Sequence, residues 1–295
     1  MEIQKIMVVG SGFMGSGIAQ VAIQAGYDIL LNDTTEALAK RGEATLSNNL
    51  DRQVKKGKMS EADKAALMSK VSLSTSLDSA VVADFVVEAA FENFEVKRGI
   101  FQKLDKVCRP EVIFATNTSS LSITKLAATV SRPDKFIGMH FFSPVPVMAL
   151  VEVIRSFKTS EDTIAMTEAI VTKMGKESVR VKDVPGFLVN RINSALRAEA
   201  YNCLAEGVAT IEDIDKALKL ALRHPMGPFE VADFVGLDVG FAVARSLHEG
   251  YKDVKWRPSM LLEQLVVSGD LGQKTGKGWY DYTSGEKKPR KDVKF

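Results

Sequence analysis

Residues 10–15 read Gly10-Ser11-Gly12-Phe13-Met14-Gly15, and with their surroundings they constrain the fold more than any other stretch. An apolar run over residues 3–9 precedes them and predicts a short buried strand; a segment of helical apolar periodicity over 13–24 follows and is closed by Gly26. Glycines between a strand and a helix each have a physical purpose. Gly10 permits the tight turn, Gly12 carries no side chain to block an approaching pyrophosphate, and Gly15 lets the helix pack close to the strand. The helix N-terminus then offers unpaired amides and the positive end of its dipole to phosphate, so Ser11, Phe13 and Met14 join the glycines as cofactor-binding positions. The next strand, 28–31, ends at Asn32-Asp33, and Asp33 stands eighteen positions after Gly15. A carboxylate there can accept hydrogen bonds from the adenosine ribose and repels a 2′-phosphate, so the expected cofactor is NAD rather than NADP. A ligand-less glycine-rich turn is the bland alternative, and the complete strand–turn–helix–strand context argues against it.

Strand and helix patterns go on alternating. Residues 35–69 are charged and helical with a break near Gly57, the second helix capped by Ser60 with Asp63. Strands are predicted at 71–74, 84–88, 112–116 and 177–181, and helices at 95–107 and 161–173. Asn117-Thr118-Ser119-Ser120 reads as a polar turn. The alternation implies an α/β fold: a Rossmann-like, mainly parallel sheet with helices on both faces. It stops at Pro185-Gly186. Beyond that point the pattern is helical, over 187–206, 211–222, 228–247 and 259–268, which predicts a C-terminal all-helical domain. A length of 295 residues suits two domains, here 1–185 and 186–295, with one large domain as the alternative.

Residues 140–152, HFFSPVPVMALVE, place a histidine and a glutamate at the two ends of a strand–turn–strand, with Pro144 and Pro146 breaking the run. A hairpin-like return brings imidazole and carboxylate together. A carboxylate on one ring nitrogen fixes the tautomer and stabilises the imidazolium, and the other nitrogen can then move a proton. From these residues alone, His140 and Glu152 read equally as that device or as a buried structural pair.

A net charge of +2 gives no reason to expect nucleic acid or an anionic membrane as partner. The basic stretch 287–294 reads as solvated chain. Two cysteines, Cys108 and Cys203, are too few for a disulfide framework, and three histidines without ligand spacing predict no metal site. The first apolar run is shorter than a signal-peptide core and far below a membrane span, so the expected location is the cytoplasm.

Several longer motifs then carry a resemblance: VVGSGFMGSGIA at 8–19, VVEAAFENFEVK at 86–97, TNTSSL at 116–121 and MHFFSPVPVMALVEV at 139–153. DVPGFLVNR at 183–191, HPMGPFEVADFVGLD at 224–238 and GQKTGKGWYDY at 272–282 extend it over nearly the whole chain. The chain resembles the short-chain L-3-hydroxyacyl-CoA dehydrogenases, most closely the bacterial 3-hydroxybutyryl-CoA dehydrogenases. The resemblance implies reversible oxidation of a short (S)-3-hydroxyacyl-CoA to the 3-ketoacyl-CoA by NAD. It implies His140 as the catalytic acid–base, Glu152 as its partner, Ser119 near the substrate hydroxyl and Asn190 completing the site from the second domain. It matches Glu92, Lys97, Asn117, Ser119, Ser143 and Lys274 to cofactor-contacting positions and Lys56 to a lysine near the CoA phosphates. Ser143 stands where many members have asparagine. On the residues alone, Ser119 also reads as a capping serine, Asn190 as a structural hydrogen-bonder and Lys56 as part of a solvated face. A homodimer through the helical domain is implied as well. Two rivals remain at this point: a cofactor-loaded non-enzyme, and a dehydrogenase of free 3-hydroxy acids.

Overall fold

A strand covered on both faces needs a near-continuous apolar run, and KIMVV, FVVE and IFAT meet that need. In a computed structural model that describes residues 3–290, 292 and 293 they form β1 (Lys5–Val9), β4 (Phe85–Glu88) and β5 (Ile113–Thr116). The other strands of the sheet are β2 (Asp28–Asn32), β3 (Val71–Ser74), β6 (Phe136–Phe141), β7 (Leu150–Arg155) and β8 (Glu177–Lys182). Their order is β3-β2-β1-β4-β5-β6-β7-β8. Every neighbouring pair is parallel except β6 with β7, which pair antiparallel. Helices α1 (Phe13–Gln24), α2 (Glu36–Lys55), α3 (Glu61–Met68), α4 (Phe94–Val107), α5 (Ile123–Ala127) and α6 (Glu161–Lys173) complete this unit. Phe101 of α4 lies 4.6 Å from the ring of Phe136 and 5.9 Å from that of Phe114, tying the helix to β6 and β5. The Ser60–Asp63 capping box opens α3 as expected.

The chain divides into two compact units between Val184 and Pro185. The second contains α7 (Val189–Ala205), α8 (Ile211–Leu222), α9 (Pro228–Val235), α10 (Leu237–Tyr251) and α11 (Met260–Val267). It adds a short ribbon of β9 (Tyr280–Asp281) with β10 (Lys288–Pro289). Tyr201, Phe229 and Trp279 meet at 4.7–5.4 Å in its core. Two buried aspartates brace that core. Asp215 accepts hydrogen bonds from the amides of Phe229 and Glu230 and from the Tyr280 hydroxyl. Asp233 accepts from the amides of Trp279 and Tyr280 and from the Tyr282 hydroxyl. Burial pushes the Asp233 carboxyl up to about 6.

Three sequence expectations need correction. The helix expected over 228–247 is two helices, α9 and α10, broken at Gly236 with φ +106°. The apolar periodicity runs on through the break, so a single glycine did not reveal it. The polar turn after Asn117 continues into α5, which pattern reading missed. The basic stretch is not plain solvated chain: the Arg290 guanidinium is buried and donates to Asp270, Asp292 and the Gly278 carbonyl, and Lys287 pairs with Glu230. Lys291 and Lys294 lie outside the described residues.

Candidate active site

The turn from β1 into α1 is built by close approach. A Cβ on Gly15 would lie 1.7 Å from the Gly10 carbonyl oxygen, and one on Gly10, at φ +94°, would lie 2.7 Å from the Ala89 carbonyl. Around Gly12 the opposite holds: a Cβ there would meet nothing within 4 Å. Gly12 is the N-cap of α1, no side chain caps it, and the first turn holds no acidic residue. The amides and dipole at this end therefore face a space suited to phosphate. Asp33 stands beside it at the end of β2. The Ser11 amide and hydroxyl donate to Oδ2 at 2.8 and 2.7 Å, and the Thr34 amide donates to Oδ1 at 2.8 Å. Burial opposes ionisation of Asp33, but these hydrogen bonds outweigh it and hold the carboxyl below its usual range. It is an ionised acceptor at neutral pH, as recognition of ribose hydroxyls requires.

A second cluster forms where β4 and β5 end side by side, Glu88 opposite Thr116. Glu88 is fully buried. Its Oε1 accepts from Lys97 Nζ at 2.6 Å and the Ala90 amide at 2.7 Å; its Oε2 accepts from the Thr116 hydroxyl at 2.6 Å. Lys97, on the first turn of α4, also donates to the Ala90 carbonyl and lies 3.3 Å from Glu92 Oε2. Its three donors thus have three protein acceptors. Glu92 in turn holds the loop after β5, accepting from the Thr118 hydroxyl at 2.6 Å and from the Ser119 and Ser120 amides at 3.0 and 3.2 Å. Burial works against the Glu92 carboxylate, but Lys97 and the loop donors hold it below its usual range. Lys97 and Glu92 therefore fix where Ser119 stands. Asn117 does the same towards β6, its Oδ1 accepting from the Phe141 amide at 2.9 Å.

Next to that amide is His140. Antiparallel pairing of β6 with β7 sets His140 opposite Glu152, flanked by Met139–Val153 and Phe141–Val151. Imidazole Nδ1 lies 2.7 Å from Glu152 Oε2. His140 is 6% exposed and Glu152 0%, so the contact is shielded from water and from screening salt. The Phe142 ring lies 4.7 Å from the imidazole. Two residues that pattern reading did not single out hold these segments. Buried Lys176 donates to the carbonyls of Val145 and Met148 at 2.6 and 2.7 Å, pinning the turn between the histidine and the glutamate. Asp183 accepts from the Ser122 hydroxyl and the Ile123 and Thr124 amides, fixing the start of α5 behind Ser119. A Cβ on Gly17 would lie 2.9 Å from Val145 Cβ, so α1 and this turn are packed in contact. The phosphate-facing helix and the His–Glu turn are thus neighbours in one unit.

The remaining expected residues lie further out. Ser143 is exposed on the turn, and Lys56 is exposed just after α2. Asn190 is half-buried on the first turn of α7. Lys274 sits in a 3-10 turn with Nζ 2.5 Å from Asp238 Oδ1. Asn190 and Lys274 belong to the second unit. Among the described residues no group of three His, Cys, Asp or Glu side chains is arranged to hold a metal ion. No helix among them is long and apolar enough to cross a membrane.

Comparison with known proteins places the chain in a family. Residues 5–184 match the family model for the 3-hydroxyacyl-CoA dehydrogenase NAD binding domain, and residues 186–282 that for the 3-hydroxyacyl-CoA dehydrogenase C-terminal domain. The chain is 47% identical over 282 residues to the probable 3-hydroxybutyryl-CoA dehydrogenase of Bacillus subtilis, covering 96% of this chain and 98% of that one. It is 46% identical over 287 residues to the 3-hydroxybutyryl-CoA dehydrogenase of Bradyrhizobium diazoefficiens, covering 97% and 98%. The crystal structure of (S)-3-hydroxybutyryl-CoA dehydrogenase PaaH1 from Ralstonia eutropha superposes with a TM-score of 0.93 at 47% identity, over 96% of this chain and 100% of that one. The chain belongs to the 3-hydroxyacyl-CoA dehydrogenase family. It is an NAD-dependent oxidoreductase of the 3-hydroxyacyl-CoA class.

Proposed function

We propose that the protein interconverts (S)-3-hydroxybutyryl-CoA and acetoacetyl-CoA with NAD(H), with His140 as general acid–base. The dry 2.7 Å contact between His140 Nδ1 and Glu152 carries this reading. Gly10, Ser11, Gly12, Phe13, Met14, Gly15 and Asp33 hold the cofactor, with Asn117, Ser143 and Lys274 as further contacts. Bound NAD supplies the acceptor for the hydride that leaves C3. In the oxidation His140 Nε2 takes the C3 hydroxyl proton, and Glu152 stabilises the imidazolium that forms; in the reduction His140 returns the proton. Ser119 and Asn190 hydrogen-bond the substrate oxygen and carbonyl, and Lys56 meets the CoA phosphates. Lys97 contributes through Glu92, which sets the Ser119 loop. Positioning supplies much of the rate, since nicotinamide and C3 must meet at roughly 3–3.5 Å.

The second unit provides Asn190 and Lys274 to substrate and cofactor and is the pairing surface of a homodimer. The deciding experiment measures NADH oxidation with acetoacetyl-CoA, longer 3-ketoacyl-CoA thioesters and free acetoacetate, and repeats it with NADPH. The expected preference is for acetoacetyl-CoA with NADH. Equal rates with free acetoacetate would refute the thioester assignment, and a preference for long chains would refute the short-chain one.

A further inference from the structure

The turn between His140 and Glu152 is short of hydrogen-bond donors. Pro144 and Pro146 carry no N–H, and the amides of Val147 and Met148 both donate to the Pro144 carbonyl, at 2.9 and 3.0 Å. Among the described residues no backbone amide donates to the carbonyls of Val145 or Met148. The side chain of Lys176, 31 and 28 positions further along, serves both, at 2.6 and 2.7 Å. Lys176 is buried and makes no ion pair among the described residues, and burial holds its ammonium below the usual lysine range. Desolvating an ammonium is costly, and both of these bonds go to one turn.

Packing holds that turn on one side only. Val145 is buried, whereas Val147 and Met148 are exposed. Val145 sits against α1 at Gly17, where a Cβ would lie 2.9 Å from Val145 Cβ. Gly17 is one turn along α1 from Phe13, the first residue of the helix end that faces the phosphate site. On the other side Lys176 draws the turn towards the start of β8, where the Glu177 amide donates to the Ala149 carbonyl. The turn begins at Phe142, whose ring lies 4.7 Å from the imidazole of His140. It therefore joins the His–Glu pair to the cofactor end of α1.

We propose that Lys176 is a positioning residue for the hydride transfer: by fixing residues 142–149 against α1, it holds the His140 imidazole in register with the nicotinamide site. The inference rests on the acid–base reading of His140. Lys176 acts through Val145 and Met148 and not by contact with the reacting atoms. Register matters because a misplacement of about 1 Å can cost about 10²-fold in rate.

Lys176→Met, which keeps an apolar stem without the charge, tests this. In the cofactor-free protein, amide hydrogen exchange over residues 143–149 should quicken about tenfold or more while β1 and β5 stay protected. With NADH and acetoacetyl-CoA, kcat should fall about tenfold or more, and KM for the thioester should stay within about twofold of wild type. The isotope effect on kcat with NADH deuterated at C4 should rise, because a misaligned hydride transfer becomes slower than the other steps. Gly17→Ala presses on the same turn from the α1 side and should give the same signature, including when Lys176→Met does not fold. The two changes together should cost less than the product of the single losses, since both act on one turn. Wild-type exchange and turnover in Lys176→Met overturn the proposal. So does a lowered melting temperature with kcat and isotope effect unchanged, which makes the lysine a fold brace, and so does protection lost across the whole sheet. His140→Gln separates the two readings. Full turnover in that variant defeats the acid–base assignment and this inference with it; an inactive His140→Gln beside a fully active Lys176→Met defeats this inference alone.

Discussion

Glu88 and Glu152 are both glutamates with no exposed surface, both in the same sheet and both paired with a basic side chain. Glu88 faces a lysine whose three donors are all used within the protein, and its own oxygens accept from Ala90 and Thr116 as well. Burial pushes the Glu88 carboxyl up, while the Lys97 charge and the hydrogen bonds from Lys97, Thr116 and the Ala90 amide pull it down, and none of those partners is of a type that ordinarily changes protonation near neutral pH. Glu152 faces an imidazole, the one side chain that ordinarily gains and loses a proton near neutral pH. Burial and charge alone therefore do not mark a functional carboxylate. The partner's chemistry decides whether a buried pair is a brace or a proton-handling device.

The largest test of this contrast is His140→Gln. Turnover should fall about 10³-fold, as loss of a positioned acid–base requires, while NADH binding by fluorescence and the melting temperature stay near wild type. Substantial residual turnover would show that the imidazole is itself only a brace. Lys97→Met should do the reverse and strike stability first. It strands Glu88 in the core at a cost of about 3–5 kcal/mol by urea unfolding, and the added change Glu88→Gln should recover much of it. A single variant as stable as wild type would mean the Glu88 cluster is not a charged brace.

Asp233 extends the contrast to the helical unit. Its carboxyl is pushed up to about 6 by burial from an ordinary 3.8. A raised carboxyl favours the folded state when protonated. Its contribution is full below about pH 4 and is lost as pH rises through about 6, on the order of 2–3 kcal/mol. Asp233→Asn should lower stability at every pH, because an amide cannot accept from both backbone N–H groups with both atoms, and should flatten the slope between pH 4 and 6. A slope unchanged in that variant would assign it to another group. Glu152→Gln should cut turnover by about ten- to a hundredfold and distort the pH–rate profile, since the amide no longer compensates an imidazolium. An unaltered profile would put Glu152 in the same class as Glu88. The smallest effect is expected from Asn93→Ala. Asn93 caps α4, which carries Lys97, by accepting from the Glu95 and Val96 amides, and its loss should cost about 1 kcal/mol without changing kcat.

What the sequence determined by itself is what short-range chemistry encodes. The strand–glycine turn–helix over residues 3–24, the acid at Asp33 and the Ser60–Asp63 cap depend on neighbours a few positions apart. So does the pairing of His140 with Glu152, because a strand–turn–strand of twelve positions fixes their register. The tertiary structure decided what depends on residues far apart in the chain. It made Lys97 and Glu92 the holders of the Ser119 loop, brought Lys176 under the turn and Asp183 behind α5, and broke the 228–247 pattern at Gly236. The physical reason is that a backbone turn or cap is satisfied locally, whereas a buried charge is satisfied by whichever acceptor the packing brings to it, and no period or spacing in the sequence records that choice.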